Sequence, residues 1–195
     1  MRAYLALLAA VGLGRLLELR HSRTNQRVLA TRGVTSAPDP HFRWMVMLHT
    51  GVLLSSAAEV WLGRRPWIPQ LAIPMAAALA LANALRWWVI RSMAVHWNVR
   101  VMDSLRLGVV ATGPYQWIRH PNYLAVFVEL EAVPLMHSAW VTALVGGLLH
   151  CWVLARRLAV EEPLLLANPA YRATMAWKPR FIPNGLTPNR LNHSR

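Results

Sequence analysis

Apolar residues along this chain come in long blocks, not in the alternation of strands or the narrow stripes of soluble helices. Five blocks stand out: Tyr4 to Leu19, about Trp44 to Leu62, about Ile68 to Ile90, Leu124 to Met136, and Ala139 to Ala155. The third is wide enough to cross a hydrocarbon core of roughly 30 Å at about 1.5 Å per helical residue. The fourth is short for a crossing and is divided from the fifth only by His137-Ser138. These two read as a tight helical hairpin. The first block follows Arg2 in the manner of a signal peptide, but its pattern continues through Leu13, Leu16, Leu17 and Leu19 with no small-residue cleavage site, so it reads as a retained span. Punctuation comes from Pro38-Asp39-Pro40, Arg65-Pro66 with Pro69, and Thr112-Gly113-Pro114.

Composition supports lipid over water. Of 195 residues 55% are hydrophobic and 15% charged, against roughly 25% charged in soluble domains. The fold class implied is an all-α, polytopic membrane bundle of about five spans and a single domain over 1–195. Residues 1–90 hold the first three spans with loop 20–43, residues 91–183 the polar loop and the last two segments, and residues 184–195 a tail. A net charge of +13 fits nucleic acid or an anionic membrane face. Long apolar runs and the lack of a nucleic-acid-binding motif favour membrane lipids as partner, with no nucleic acid. Loops 20–43 and 86–119 carry five Arg each and the stretch from Arg156 onward seven Lys or Arg, whereas the opposite side holds Arg2, Arg64 and Arg65. By the positive-inside rule the amino terminus lies outside and the carboxyl terminus in the cytoplasm, with an inner, cytoplasm-facing membrane as the expected location. Cys151 is the sole cysteine, which excludes an intrachain disulfide and a cysteine metal cluster. His41 and His49 are too far apart for one helical metal face, so no metal is expected.

Two polar stretches can carry chemistry. The first runs from Leu107 to Tyr123. Pro121 suits the first turn of a helix, which sets Arg119 and His120 beside free backbone donors. A cation and an aromatic group there hold an anionic or aromatic ligand, or simply mark the headgroup level; spacing alone leaves both open. The second is Arg156-Arg157-Leu158-Ala159-Val160-Glu161-Glu162, where Arg157 and Glu161 are helical neighbours. It reads as a solvated ion pair or as adjacent functional carboxylates in an otherwise basic setting. Arg15 and Glu18 share one face of the first span. His49 and Glu59 are buried hydrogen-bonding partners or, as intramembrane ionisable groups, functional ones.

Together the stretches resemble the isoprenylcysteine carboxyl methyltransferase family of integral membrane enzymes. The resemblance rests on Gly113-x-Tyr115, Arg119-His120-Pro121-x-Tyr123, Arg157, Glu161-Glu162, Tyr171 and Pro179-Arg180-Phe181-Ile182-Pro183, and covers roughly residues 85 to 183. The stretch Glu18-Leu19-Arg20-His21-Ser22-Arg23-Thr24-Asn25 is similar to bacterial members associated with type III polyketide synthases, although Thr24 interrupts their usual Arg-Asn pair.

That resemblance implies an S-adenosylmethionine site built without a Rossmann domain, with 91–183 as the methyltransferase core. Leu107, Gly108, Val109 and Val110 would give backbone contacts to the cofactor. Tyr115, His120, Pro121, Asn122 and Tyr123 would enclose it, and Glu161 would hold its ribose or amino group. Arg100 falls near a further cofactor contact but departs from the glutamine of animal members. Arg157 falls at a substrate-contacting position, and Glu162 is a candidate base. The implied activity is O-methylation of a lipophilic small molecule entering from the bilayer: an alkylresorcinol or alkylpyrone hydroxyl, or a prenylcysteine carboxylate, with a phospholipid amine as a further acceptor. Two other readings stay open. Membrane sterol-type reductases share an Arg-His-Pro-Asn-Tyr run and use NADPH, and a non-enzymatic membrane scaffold would need none of these roles.

Overall fold

The computed structural model describes residues 1–103, 105 and 108–183; Leu107 and the 184–195 tail fall outside the described residues. Six α-helices follow in order: α1 (Arg2–Ala30), α2 (Phe42–Leu62), α3 (Pro69–Met93), α4 (Pro121–Leu135), α5 (Trp140–Ala167) and α6 (Pro169–Met175). Short 3-10 turns at Ala94–His96 and Gly113–Gln116 interrupt the loop between α3 and α4. No strand occurs among the described residues; Ser36 and Met102 form an isolated antiparallel bridge.

Prolines open three helices, at Pro69, Pro121 and Pro169, where the missing N–H would have had no helical partner. Asn168 caps α6 by accepting from the backbone N–H of Ala170 at 3.0 Å and of Tyr171 at 3.3 Å. Two helices outrun their apolar blocks. α1 continues to Ala30 because its polar extension is packed: Ser22 and Asn25 are buried. α5 continues to Ala167, so the Arg156–Glu162 stretch belongs to the last long helix itself.

Three helices, α2, α3 and α5, are long and apolar enough to cross a membrane. Their large outward side chains include Leu54, Ile73, Leu81, Leu144 and Leu148, all exposed. That pattern suits lipid contact. At 15 residues, α4 reaches only about 22 Å at the helical rise. α1 is long enough, but from its middle onward it carries Arg15, Glu18 and Arg20. The bundle is therefore three clear spans supplemented by a charged α1 and a short α4, rather than five equivalent crossings. The expected hairpin is present: α4 and α5 are joined by 136–139, with Ser138 in the left-handed region at φ 56°.

Within the bundle α4 packs against α3 and α5, α2 against α5, and α1 against α2. The end opposite the Arg-rich loops is closed by Tyr4, Leu8, Val60, Leu79, Val133 and Ala139. There the Tyr4 hydroxyl donates to the Val133 carbonyl at 3.0 Å. Glu59 accepts from the N–H of Thr142 at 2.7 Å and of Val141 at 3.2 Å, capping the start of α5 from α2. Farther in, four charges close a ring across three helices. Arg15 lies 2.8 Å from Glu18 and 3.3 Å from Glu129, and Arg86 lies 3.0 Å from Glu18 and 3.2 Å from Glu129. Two cations and two anions balance locally, which a low-dielectric interior requires.

Candidate functional site

One cavity of about 620 Å³ runs through the bundle, within the roughly 300–1,000 Å³ of small-molecule sites. Its apolar length lies between α1 and α2, with Leu5, Leu8, Gly12, Leu16, Leu53 and Ala57 on the walls. Its polar end opens among the Arg-rich loops.

The polar end is assembled from four chain segments. Gly113 begins a 3-10 turn at φ 59°, and a Cβ there would sit 2.9 Å from the Ser92 Cβ and 3.1 Å from the Trp88 Nε1. Only glycine lets the turn lie this close to α3. Tyr115 on that turn donates its hydroxyl to the Met93 sulfur at 2.8 Å. Burial pushes its phenol well above the usual range, with Glu161 and Tyr171 adding to the effect. Lys178, also buried, donates to the Tyr115 carbonyl at 2.8 Å. Its ammonium is held below the ordinary lysine range by desolvation. Tyr171, presented by α6, has its phenol raised to about 12, mainly by burial.

Residues 119–120 pair with the chain after α6. The Arg119 N–H donates to the Pro179 carbonyl at 2.9 Å and the His120 N–H to the Arg180 carbonyl at 3.0 Å. Glu162 locks the same junction. One of its oxygens lies 3.1 Å from His120 Nε2, 3.2 Å from Arg119 and 2.9 Å from Arg180 Nε, while the other takes a second Arg180 nitrogen. A carboxylate accepts, so His120 Nε2 carries the hydrogen and Nδ1 is left as the ring's acceptor. Burial lowers the His120 pKa and outweighs Glu161 and Glu162, which raise it, so the ring is neutral at neutral pH.

The neighbouring carboxylate faces a different set of groups. Tyr123 donates its hydroxyl to Glu161 and accepts from Arg157 Nε at 2.8 Å. Arg157 also donates to the Met45 sulfur at 2.9 Å and to the Val99 carbonyl, and lies 3.8 Å from Asp39. Its guanidinium thus ties α5 to α2, to loop 37–41 and to the 94–99 segment.

The structure brings together most of the residues singled out in the sequence. Arg100, Gly108, Val109, Val110, Tyr115, His120, Asn122, Tyr123, Arg157 and Glu161 all line the cavity. Pro121 is buried at the start of α4 and Glu162 points at the tail junction; neither is on the cavity wall. Sequence reasoning missed Asn25, whose amide donates to the carbonyls of Trp97 at 2.7 Å and Ala94 at 3.2 Å. It also missed Ser22, which accepts from the Val99 N–H at 3.1 Å. The extended α1 so fixes the 94–99 wall, and only the inward spacing of Ser22 and Asn25 hinted at it. Lys178, Arg180 and His150 were likewise unassigned.

Sequence comparison finds relatives of this chain among known proteins. A Bacillus subtilis (strain 168) protein, described as the uncharacterized protein YpbQ, is 28% identical over 160 residues, covering 82% of this chain and 94% of the relative. An uncharacterized protein of Haemophilus influenzae (strain ATCC 51907 / DSM 11121 / KW20 / Rd) is 32% identical over 87 residues, 44% of this chain and 51% of the relative. Residues 74–167, from α3 to the end of α5, match the sequence model of the isoprenylcysteine carboxyl methyltransferase (ICMT) family, which points in general terms to a membrane methyltransferase.

Proposed function

We propose that this chain is an integral membrane O-methyltransferase that takes its methyl group from S-adenosylmethionine and delivers it to a lipophilic acceptor. The carrying observation is the cavity of about 620 Å³ whose polar end holds Tyr115, His120, Tyr123, Glu161 and Tyr171 and whose apolar length lies between α1 and α2. The Arg-rich end would face the cytoplasm and admit the donor, and the acceptor would come from the bilayer.

The residues present fit that donor. Asn122 Oδ1 and Trp97 Nε1 are buried on the cavity wall with no hydrogen-bond partner. Buried polar atoms of this kind are rare unless a ligand or water satisfies them. Glu161 suits an ammonium or a ribose hydroxyl, Val109 and Val110 suit an apolar ring, and tyrosine faces attract a sulfonium. Bound there, S-adenosylmethionine supplies a methyl group already activated on sulfur. The protein's share is alignment and exclusion of water. Arg157 orients the acceptor oxygen and favours its ionised form. That help matters most for a phenolic or pyrone hydroxyl, since a phenol ordinarily ionises near ~10, and less for a carboxylate. Glu162, held off the cavity wall by Arg119, Arg180 and the neutral His120 ring, serves as an anchor for the tail rather than as a base.

The test is incubation of the purified protein in lipid nanodiscs with labelled S-adenosylmethionine and membrane lipid extracts. Label in an ether- or ester-linked methyl of a lipid product is the expected result. Binding of NADPH with no binding of S-adenosylmethionine would shift the reading to a reductase.

A further inference from the structure

α5 carries a second polar feature that the reading above leaves unused. His150 sits in the lipid-embedded part of the helix, is 5% exposed, and neither ring nitrogen has a hydrogen-bond partner. It nevertheless lines the cavity, as does His49 on α2. The two rings stand 6.4 Å apart, edge to face at 67°, and Phe127 meets His150 at 5.8 Å.

The pair is brought together by backbone packing. A Cβ on Gly146 would come within 2.9 Å of Val52 Cγ2, so the absence of a side chain there lets α2 and α5 close up. The helices run antiparallel, and one turn farther along each stand His49 and His150. On His49, Nδ1 lies 2.7 Å from the Met45 carbonyl. A carbonyl only accepts, which puts the hydrogen on Nδ1 and leaves Nε2 as an acceptor.

We infer that His49 and His150 form a polar subsite for an uncharged hydroxyl-bearing head group of the acceptor. A neutral imidazole offers one donor and one acceptor, which matches a hydroxyl. An anion fits less well, because Arg15, the cation that shares a small pocket with His49, is already engaged by two carboxylates. An unpartnered buried imidazole is costly in an apolar setting, and a bound hydroxyl removes that cost. His150 and Arg157 are seven residues apart on one face of α5, about 10 Å along the axis. The subsite therefore grips a hydroxyl away from the reacting oxygen and sets how deep the acceptor sits. This rests on the methyltransferase reading only in calling the ligand an acceptor.

The test compares 3-pentadecylphenol with pentadecylbenzene, identical tails with and without the hydroxyl, binding to the protein in nanodiscs and corrected against empty nanodiscs. The phenol is expected to bind at least about tenfold tighter to the native protein, and His150→Phe is expected to abolish the preference. Equal binding of the two probes to the native protein, or an unchanged preference in His150→Phe, overturns the inference. If that variant does not fold, the ring ¹⁵N signals of His150 in the native protein decide. A shift with the phenol alone supports the subsite, and the same response to both probes overturns it. Binding of S-adenosylmethionine is measured separately. Its absence alongside an intact phenol preference removes the methyltransferase reading and leaves the subsite standing.

Discussion

Tyr123 and Arg157 meet through a hydroxyl that works in both directions: it accepts from Arg157 Nε at 2.8 Å and donates to Glu161. One phenol thereby sets the distance between the cation proposed for the acceptor and the carboxylate proposed for the donor. Tyr123→Phe removes the link with almost no change in volume. It is expected to destabilise the protein by about 1–3 kcal/mol, the cost of stranding buried polar partners. Donor binding should weaken about tenfold. Thermal unfolding in detergent and titration with S-adenosylmethionine check the two effects.

His120 gives a pH signature. Its folded pKa lies below its ordinary value because burial disfavours the charged ring. The unfolded chain therefore binds more protons just below about pH 6.5, and stability falls as the pH drops from there toward the folded pKa. Above about 6.5 this residue contributes no slope. In His120→Gln that acid-side loss should shrink, as read by melting temperature between pH 7 and pH 5.

Glu162→Gln separates an anchor from a base. Losing the charge loosens Arg119, His120 and Arg180 together, so trypsin should cut after Arg180 several-fold faster than in the native protein. Methyl transfer should suffer through a raised KM for the donor. A collapse of kcat with loss of the acid limb of the pH–rate profile, and no change in proteolysis, would assign Glu162 to proton transfer.

Asn25→Ala removes two hydrogen bonds to the carbonyls of Ala94 and Trp97. The cost should be about 1–3 kcal/mol. Hydrogen exchange should rise across 94–100 and stay unchanged in α4 and α5, even though residue 25 is distant from this wall in sequence.

Much of this was legible before any coordinates. Blocks of apolar residues located the five helices α1 to α5, though not the short α6, and the Arg119–Tyr123 and Arg157–Glu162 stretches named the segments that meet at the polar end. Helix lengths were harder. Arg156, Arg157, Glu161 and Glu162 look like the end of a span by hydropathy, yet α5 continues because Arg157, Glu161 and Glu162 are satisfied by Val99, Tyr123 and the tail while Arg156 stays exposed. Adjacent carboxylates also cannot be told apart by composition. Successive helical residues point about 100° apart, which turns Glu161 to the cavity and Glu162 to the tail. His150 is one polar residue in an apolar run, and only its nearness to His49 gives it meaning.

The ring of Arg15, Glu18, Arg86 and Glu129 restricts how this sequence can drift. Removing one member leaves an odd charge stranded in lipid surroundings, a change usually worse than deleting an oppositely charged pair together. A descendant of this chain can shed the ring by losing one basic and one acidic member in concert, and an intermediate with three members is the narrow pass on that route.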